Sequence, residues 1–139
     1  MVIYESLTGN TREAAEIIGD ELEAAGVESL VCPIDGIDLT ALAAADLVVV
    51  GSWVDGFLWV GQRPGRAGRL RQMPVIDGKK AAVFCTYAID PGKTLTKLTQ
   101  IVTDRGGQVI GGTAIHRKDL VGGAQDFVDR LLGATSATS

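Results

Sequence analysis

The chain has 139 residues, of which 46% are hydrophobic and 22% charged, and carries a formal net charge of −4. That length suits a single core, and the apolar content is too high for a disordered chain. An acidic surface repels phosphate backbones, which sets general nucleic-acid binding aside.

Residues 2–5 form a short apolar run, the predicted first strand. No basic or apolar leader precedes it, and no run approaches the roughly 20 apolar residues that span a bilayer. The expectation is a cytoplasmic protein without a membrane span. A polar loop, residues 6–10, leads into a helix over 11–25, where Ala14, Ile18, Leu22 and Ala25 share one face. Gly26 is placed to end it in the left-handed conformation. Residues 27–34 read as a second strand, and residues 38–45 as a short helix capped by Asp38 or Thr40. The continuous apolar run 46–51 predicts a central strand buried on both faces. A loop rich in Gly, Trp and Pro follows over 52–64, then a poor helix over 66–73, weakened by Gly68.

Residues 80–86 predict a fourth strand. Beyond 87–91 comes a helix with Leu95, Leu98 and Val102 on one face, ended by Gly106 and Gly107. Residues 108–115 predict a fifth strand. The last helix spans 121–132 and buries Ala124, Phe127, Val128 and Leu131, in a domain covering 1–133 with a fraying tail at 134–139. The alternation of strand and helix predicts an α/β three-layer sandwich, a parallel sheet with helices on both faces. The strand order expected is 2-1-3-4-5, which puts a ligand at the switch point beside strands one and three. Cys32 and Cys85 would then have two other strands between them, too far to bridge, and are expected as free buried thiols.

Three loops meet at the carboxyl edge of such a sheet. The first, Ser6-Leu7-Thr8-Gly9-Asn10-Thr11, joins a strand to an amphipathic helix. Hydroxyls at Ser6, Thr8 and Thr11 and the Asn10 amide are hydrogen-bond donors, and Gly9 permits a tight turn. With the partial positive charge of the helix N-terminus they make an anion site that needs no lysine or arginine. A helix cap alone needs one such residue, not four.

This segment resembles the (Ser/Thr)-x-Thr-Gly-x-Thr signature of flavodoxins, matching every specified position, and the element order extends the resemblance over nearly the whole chain. The resemblance implies a flavodoxin-like fold and one FMN, its 5′-phosphate held by residues 6–11. It implies a function as electron carrier between a reductase and a redox partner protein. It further implies that the flavin ring lies in the two later loops, at Ser52, Trp53, Val54, Asp55 and Gly56 and at Thr86, Tyr87, Ala88 and Asp90. Trp53 falls near the family's ring-stacking tryptophan, with Trp59 as the other candidate, and Tyr87 is placed for the opposite face. Family members often carry glycine after that tryptophan, where a peptide flips to bond flavin N5. Val54 resists such a flip, and Asp55-Gly56 offers the mobile peptide instead. Backbone N–H groups of residues 88–90 would meet the N1–O2 edge, where the charge of Asp90 opposes reduction. Asp90 alternatively caps the next helix.

Other features carry less. Pro91-Gly92-Lys93-Thr94 matches the tail of a nucleotide-binding loop, but Tyr87 stands where its first glycine belongs. Arg63, Arg66, Arg69 and Arg71 are a solvated face, or else a docking or NADPH-phosphate patch. His116, the one histidine, assembles no metal site and no catalytic triad with the two separated cysteines. The competing functions are an FMN-dependent NAD(P)H:quinone-type oxidoreductase and a flavin-free interaction module on the same fold.

Overall fold

The computed structural model describes residues 1–55 and 61–137. In chain order it contains strand β1 (Val2–Tyr4), helix α1 (Asn10–Ala24), β2 (Val31–Pro33), a 3₁₀ turn (Ile34–Gly36), α2 (Leu39–Ala44) and β3 (Leu47–Asp55). There follow β4 (Arg63–Pro64), α3 (Ala67–Leu70), β5 (Lys80–Tyr87), α4 (Thr94–Asp104), β6 (Gln108–His116) and α5 (Leu120–Ala137).

The five strands foreseen from the apolar runs lie in the expected order, β2-β1-β3-β5-β6, and all are parallel. The two-residue β4 lies off this path, antiparallel to the end of β3. Alternation along the strands divides the core in two. One side gathers Ile3, Val48, Val50 and Val83 with Leu42, Leu70, Leu98 and Val102 of α2, α3 and α4. The other packs Val2, Val49 and Phe84 against Ala14, Ile18 and Leu22 of α1 and Ala124, Phe127, Val128 and Leu131 of α5. The rings of Phe84 and Phe127 meet at 6.3 Å between centroids. The helix faces read from the sequence are buried except at their ends: Ala25 is exposed just past α1, and Leu95 is half-buried.

Several boundaries differ from expectation. The second strand is Val31–Pro33, not 27–34, because the N–H of Val27 closes the end of α1 on the Leu22 carbonyl. Gly26 takes a φ of 85° there, as a helix-ending glycine should. The third strand runs four residues past 51, since Ser52 and Trp53 stay in register with Cys85 and Thr86 while Val54 and Asp55 pair with Pro64 and Arg63. The helix expected over 66–73 shrinks to one turn behind Arg66, a left-handed residue with φ 50°. Helix α2 is capped by Asp38, whose carboxylate accepts from the Ala41 N–H at 3.0 Å. Finally, α5 continues to Ala137 instead of fraying at 133; within it the Thr135 hydroxyl donates back to the carbonyls of Leu131 and Leu132.

Both cysteines are free and buried, on strands separated by β1 and β3. Burial pushes the Cys85 thiol up to about 12. No helix among the described residues is long and apolar enough to cross a membrane.

Candidate functional site

The chain enters its first helix through residues 6–10. Gly9 sits at the helix N-cap with φ 98° and ψ −13°, a region that costs an L-residue about 1–2 kcal/mol. Its carbonyl already accepts from the Glu13 N–H at 2.9 Å. Ser6 Oγ accepts from the N–H groups of Gly9 at 3.2 Å and Arg12 at 3.3 Å. That hydroxyl therefore organises the turn. Leu7 and Thr8 are exposed and Asn10 half-buried. Helix geometry leaves the first amides of α1 without intrahelical acceptors, which makes this a donor-rich, partly positive helix entrance.

Thr11 is buried, and its Oγ1 lies 2.7 Å from Thr86 Oγ1 at the end of β5. This bond ties the first loop to the third. Strand register supplies the rest. Trp53 pairs with Thr86, and the extra residues of β3 carry Val54 beside them. Tyr87 stands edge-on to His116, with centroids 5.1 Å apart and planes at 81°. The Tyr87 carbonyl accepts from the Arg117 N–H at 2.8 Å. His116 Nδ1 in turn accepts from the Lys118 N–H, so the histidine has a packing role.

These elements enclose a groove of about 130 Å³ at the switch point. Leu7, Thr8 and Asn10 line it from the first loop, Trp53 and Val54 from β3, and Thr86, Tyr87 and Ala88 from β5. Arg117 completes the lining. Every one of these residues except Arg117 is singled out by the sequence. Arg117 was missed because the fifth strand was ended at Ile115; β6 runs on to His116 and delivers a fourth loop to the same edge. The groove thus has a cation that the loop motif did not call for. A larger, shallower hollow of about 400 Å³ lies between α4 and β6, lined by Leu95, Thr96, Thr99 and residues 109–112. It offers no ionisable or aromatic side chain, so the smaller groove is where chemistry is concentrated.

The remaining sequence candidates lie elsewhere. Ser52 is fully buried and donates its hydroxyl to the Gly65 carbonyl at 2.8 Å. Asp55 faces Arg63 at 3.6 Å, both side chains about half exposed. Asp90 is exposed and holds Gln62 through its backbone carbonyl. It does not cap α4, whose N-cap is Lys93 without a side-chain bond. Gly56 and Trp59 lie outside the described residues. In the segment 91–94, Thr94 opens α4 with its hydroxyl buried and unpartnered, and Lys93 is exposed.

Behind Trp53 is an arrangement the sequence did not disclose. Glu5, 4% exposed, receives Arg66 Nη1 at 2.8 Å on Oε1 and Arg69 Nη1 at 3.1 Å on Oε2. The two arginines keep 43% and 48% of their side chains in solvent. The Arg66 guanidinium also lies 5.7 Å from the Trp53 ring centroid. Two members of the basic cluster are therefore partners of a buried carboxylate, not a solvated face. Arg71 is exposed, as that reading expected.

The flavodoxin domain family model matches residues 1–112. No curated protein sequence matches the chain. Among solved structures, oxidised flavodoxin 2 from Bacillus cereus is 25% identical with a TM-score of 0.72, covering 99% of this chain and 97% of that one. Two-electron reduced flavodoxin from Megasphaera elsdenii is 24% identical with a TM-score of 0.70, covering 92% and 94%. Rubredoxin:oxygen oxidoreductase from Desulfovibrio gigas, 16% identical with a TM-score of 0.66, is covered over only 36% of its length by 96% of this chain. The same fold is thus similar both to free-standing proteins and to one part of a larger enzyme.

Proposed function

Since the chain belongs to the flavodoxin family, we propose that it binds one FMN in the groove at the switch point and carries electrons between a reductase and an acceptor protein. The observation that carries this reading is the convergence, on one groove, of a donor-rich helix entrance with two aromatic side chains, Trp53 and Tyr87. The donor set suits the group: amides and hydroxyls for a phosphate, flat apolar faces for a fused ring.

In this reading the turn 6–11 holds the phosphate, with Thr8 and Asn10 as direct side-chain donors. Gly9 sets the backbone, and Ser6 and Thr11 act from behind through the bonds described above. Leu7 and Ala88 cover the ring edges. Trp53 and Tyr87 flank the ring, and Val54 stands beside them. Residues 88–90 supply backbone donors to the pyrimidine edge. Arg117 lends the groove a positive charge, which favours negative ligands. When bound, FMN supplies the electron-transfer chemistry, and the protein contributes binding, orientation and exclusion of water. The net charge of −4 suits partner proteins with basic docking faces.

Titration of flavin-free protein with FMN and with riboflavin, followed by flavin fluorescence, tests the proposal. FMN should bind more tightly than riboflavin, and Thr8→Ala should weaken FMN about tenfold while leaving riboflavin unchanged. Failure of both flavins to bind would overturn it. Slow quinone reduction by NADPH without an added reductase is expected of a carrier; fast turnover would identify the protein as the oxidoreductase instead.

A further inference from the structure

Glu5 lies one residue before the phosphate turn, yet its carboxylate takes no part in that turn. It is buried on the face of the sheet that carries α3, where two guanidinium groups converge on it. One of these, Arg66, holds a left-handed backbone conformation (φ 50°, ψ 45°) without being glycine. Such a conformation persists in a bulky residue only where the surroundings enforce it. Around Arg66, the carbonyl accepts from the Arg69 and Leu70 N–H groups that open α3, and the side chain is tied to Glu5 by the short bond.

The position of Arg66 has a second result. Its guanidinium is carried over the ring of Trp53, and the neighbouring Gly65 lies so close that a Cβ there would overlap the same ring. The Gly65 N–H also donates to the Trp53 carbonyl at 2.9 Å. The tryptophan that lines the groove therefore packs on a turn whose Arg66 side chain is bound to a carboxylate one residue past β1. Exposed Arg–aromatic contacts are weak, and they strengthen when geometry is fixed in advance.

We infer that Glu5 is a positioning residue: acting through Arg66, it fixes the Trp53 wall of the groove and so tightens the grip on the flavin ring, not on the phosphate. This rests on the reading of the groove as a flavin site. Its signature is a change in the environment of Trp53 together with equal losses for FMN and riboflavin, because those two ligands share the ring and differ in the phosphate.

The experiment uses the full chain carrying Trp59→Phe, so that tryptophan emission reports Trp53 alone. Acrylamide quenching without flavin, then titrations with FMN and riboflavin, are compared among Glu5→Gln, Glu5→Asp, Arg66→Met and the exposed control Arg71→Met. Glu5→Gln and Arg66→Met should raise the quenching constant about twofold and weaken both flavins by one common factor of about two to ten. Glu5→Asp should recover most of the loss, and Arg71→Met should match the parent. Unchanged quenching in Arg66→Met, or a loss confined to FMN, overturns the inference. If Glu5→Gln does not fold by circular dichroism, Arg66→Met decides alone, since Arg66 is partly exposed. If the chain with both tryptophans binds no flavin, the proposed function is defeated, while the quenching comparison still decides whether Glu5 positions Trp53.

Discussion

The two sides of the groove are built from different kinds of contact. On the α1 side the turn is organised by Ser6, whose hydroxyl bonds amides three and six residues along the chain. On the β3 side the wall is held by Glu5, whose partners Arg66 and Arg69 are 61 and 64 residues away. One side uses neutral groups fixed by backbone geometry; the other sets a buried negative charge between two positive ones. The difference follows from what each side presents. A helix entrance has its own field and needs little assembly, whereas a large ring standing on the end of a strand has no local support.

Removing the long-range side should do the most damage. Arg66→Ala combined with Arg69→Ala leaves Glu5 buried without a cation, and urea denaturation should show a loss on the order of 3 kcal/mol, more than the two single changes together. Near-additive small losses would mean that solvent reaches Glu5 readily and that the contrast between the two sides is slight. Next comes the link between loops. Thr11→Val and Thr86→Val each break the buried hydroxyl bond and should cost about 1–2 kcal/mol. The double variant should cost less than their sum, since it leaves no hydroxyl stranded; strict additivity would show that the bond contributes nothing.

The smallest effect concerns the strand behind the β3 wall, where Cys85 pairs in register with Ser52. Burial raises its thiol from 9.0 to about 12, so the unfolded chain gives up this proton first as the pH rises. The stabilising contribution is whole below pH 9 and is lost progressively between 9 and about 12. Thermal melts should therefore lose roughly 1 kcal/mol of stability by about pH 10 relative to Cys85→Ser. An identical alkaline decline in both proteins would show that Cys85 is more open to water than its burial implies.

The parts legible in the sequence were those governed by near neighbours or by periodicity. Ala14, Ile18 and Leu22 announce the buried face of α1, and the run ending at Val50 announces a central strand. The groove residues Thr8, Trp53 and Tyr87 were legible because each lies near the carboxyl end of an apolar run that reads as a strand. The failures came where a distant partner decides the outcome. Residues 27–30 look strand-like because Val27 and Leu30 are apolar, yet both side chains are exposed in a connection that finishes α1. Residues 52–55 look like a loop, and it is pairing with β5 and then with Arg63 and Pro64 that keeps them extended. Glu5 gave no hint of its role, because nothing in Tyr4-Glu5-Ser6 points to residues 66 and 69. Arg117 was lost to a one-residue error in the end of a strand.

The groove draws on residues from Leu7 to Arg117, nearly the whole span of the chain. During synthesis its first wall leaves the ribosome early and its last contributor very late, so no shorter nascent chain has all of its walls. Completion of the pocket is then a late event in maturation: a product truncated just ahead of residue 117 would carry every strand of the sheet but lack Arg117 and the covering helix α5.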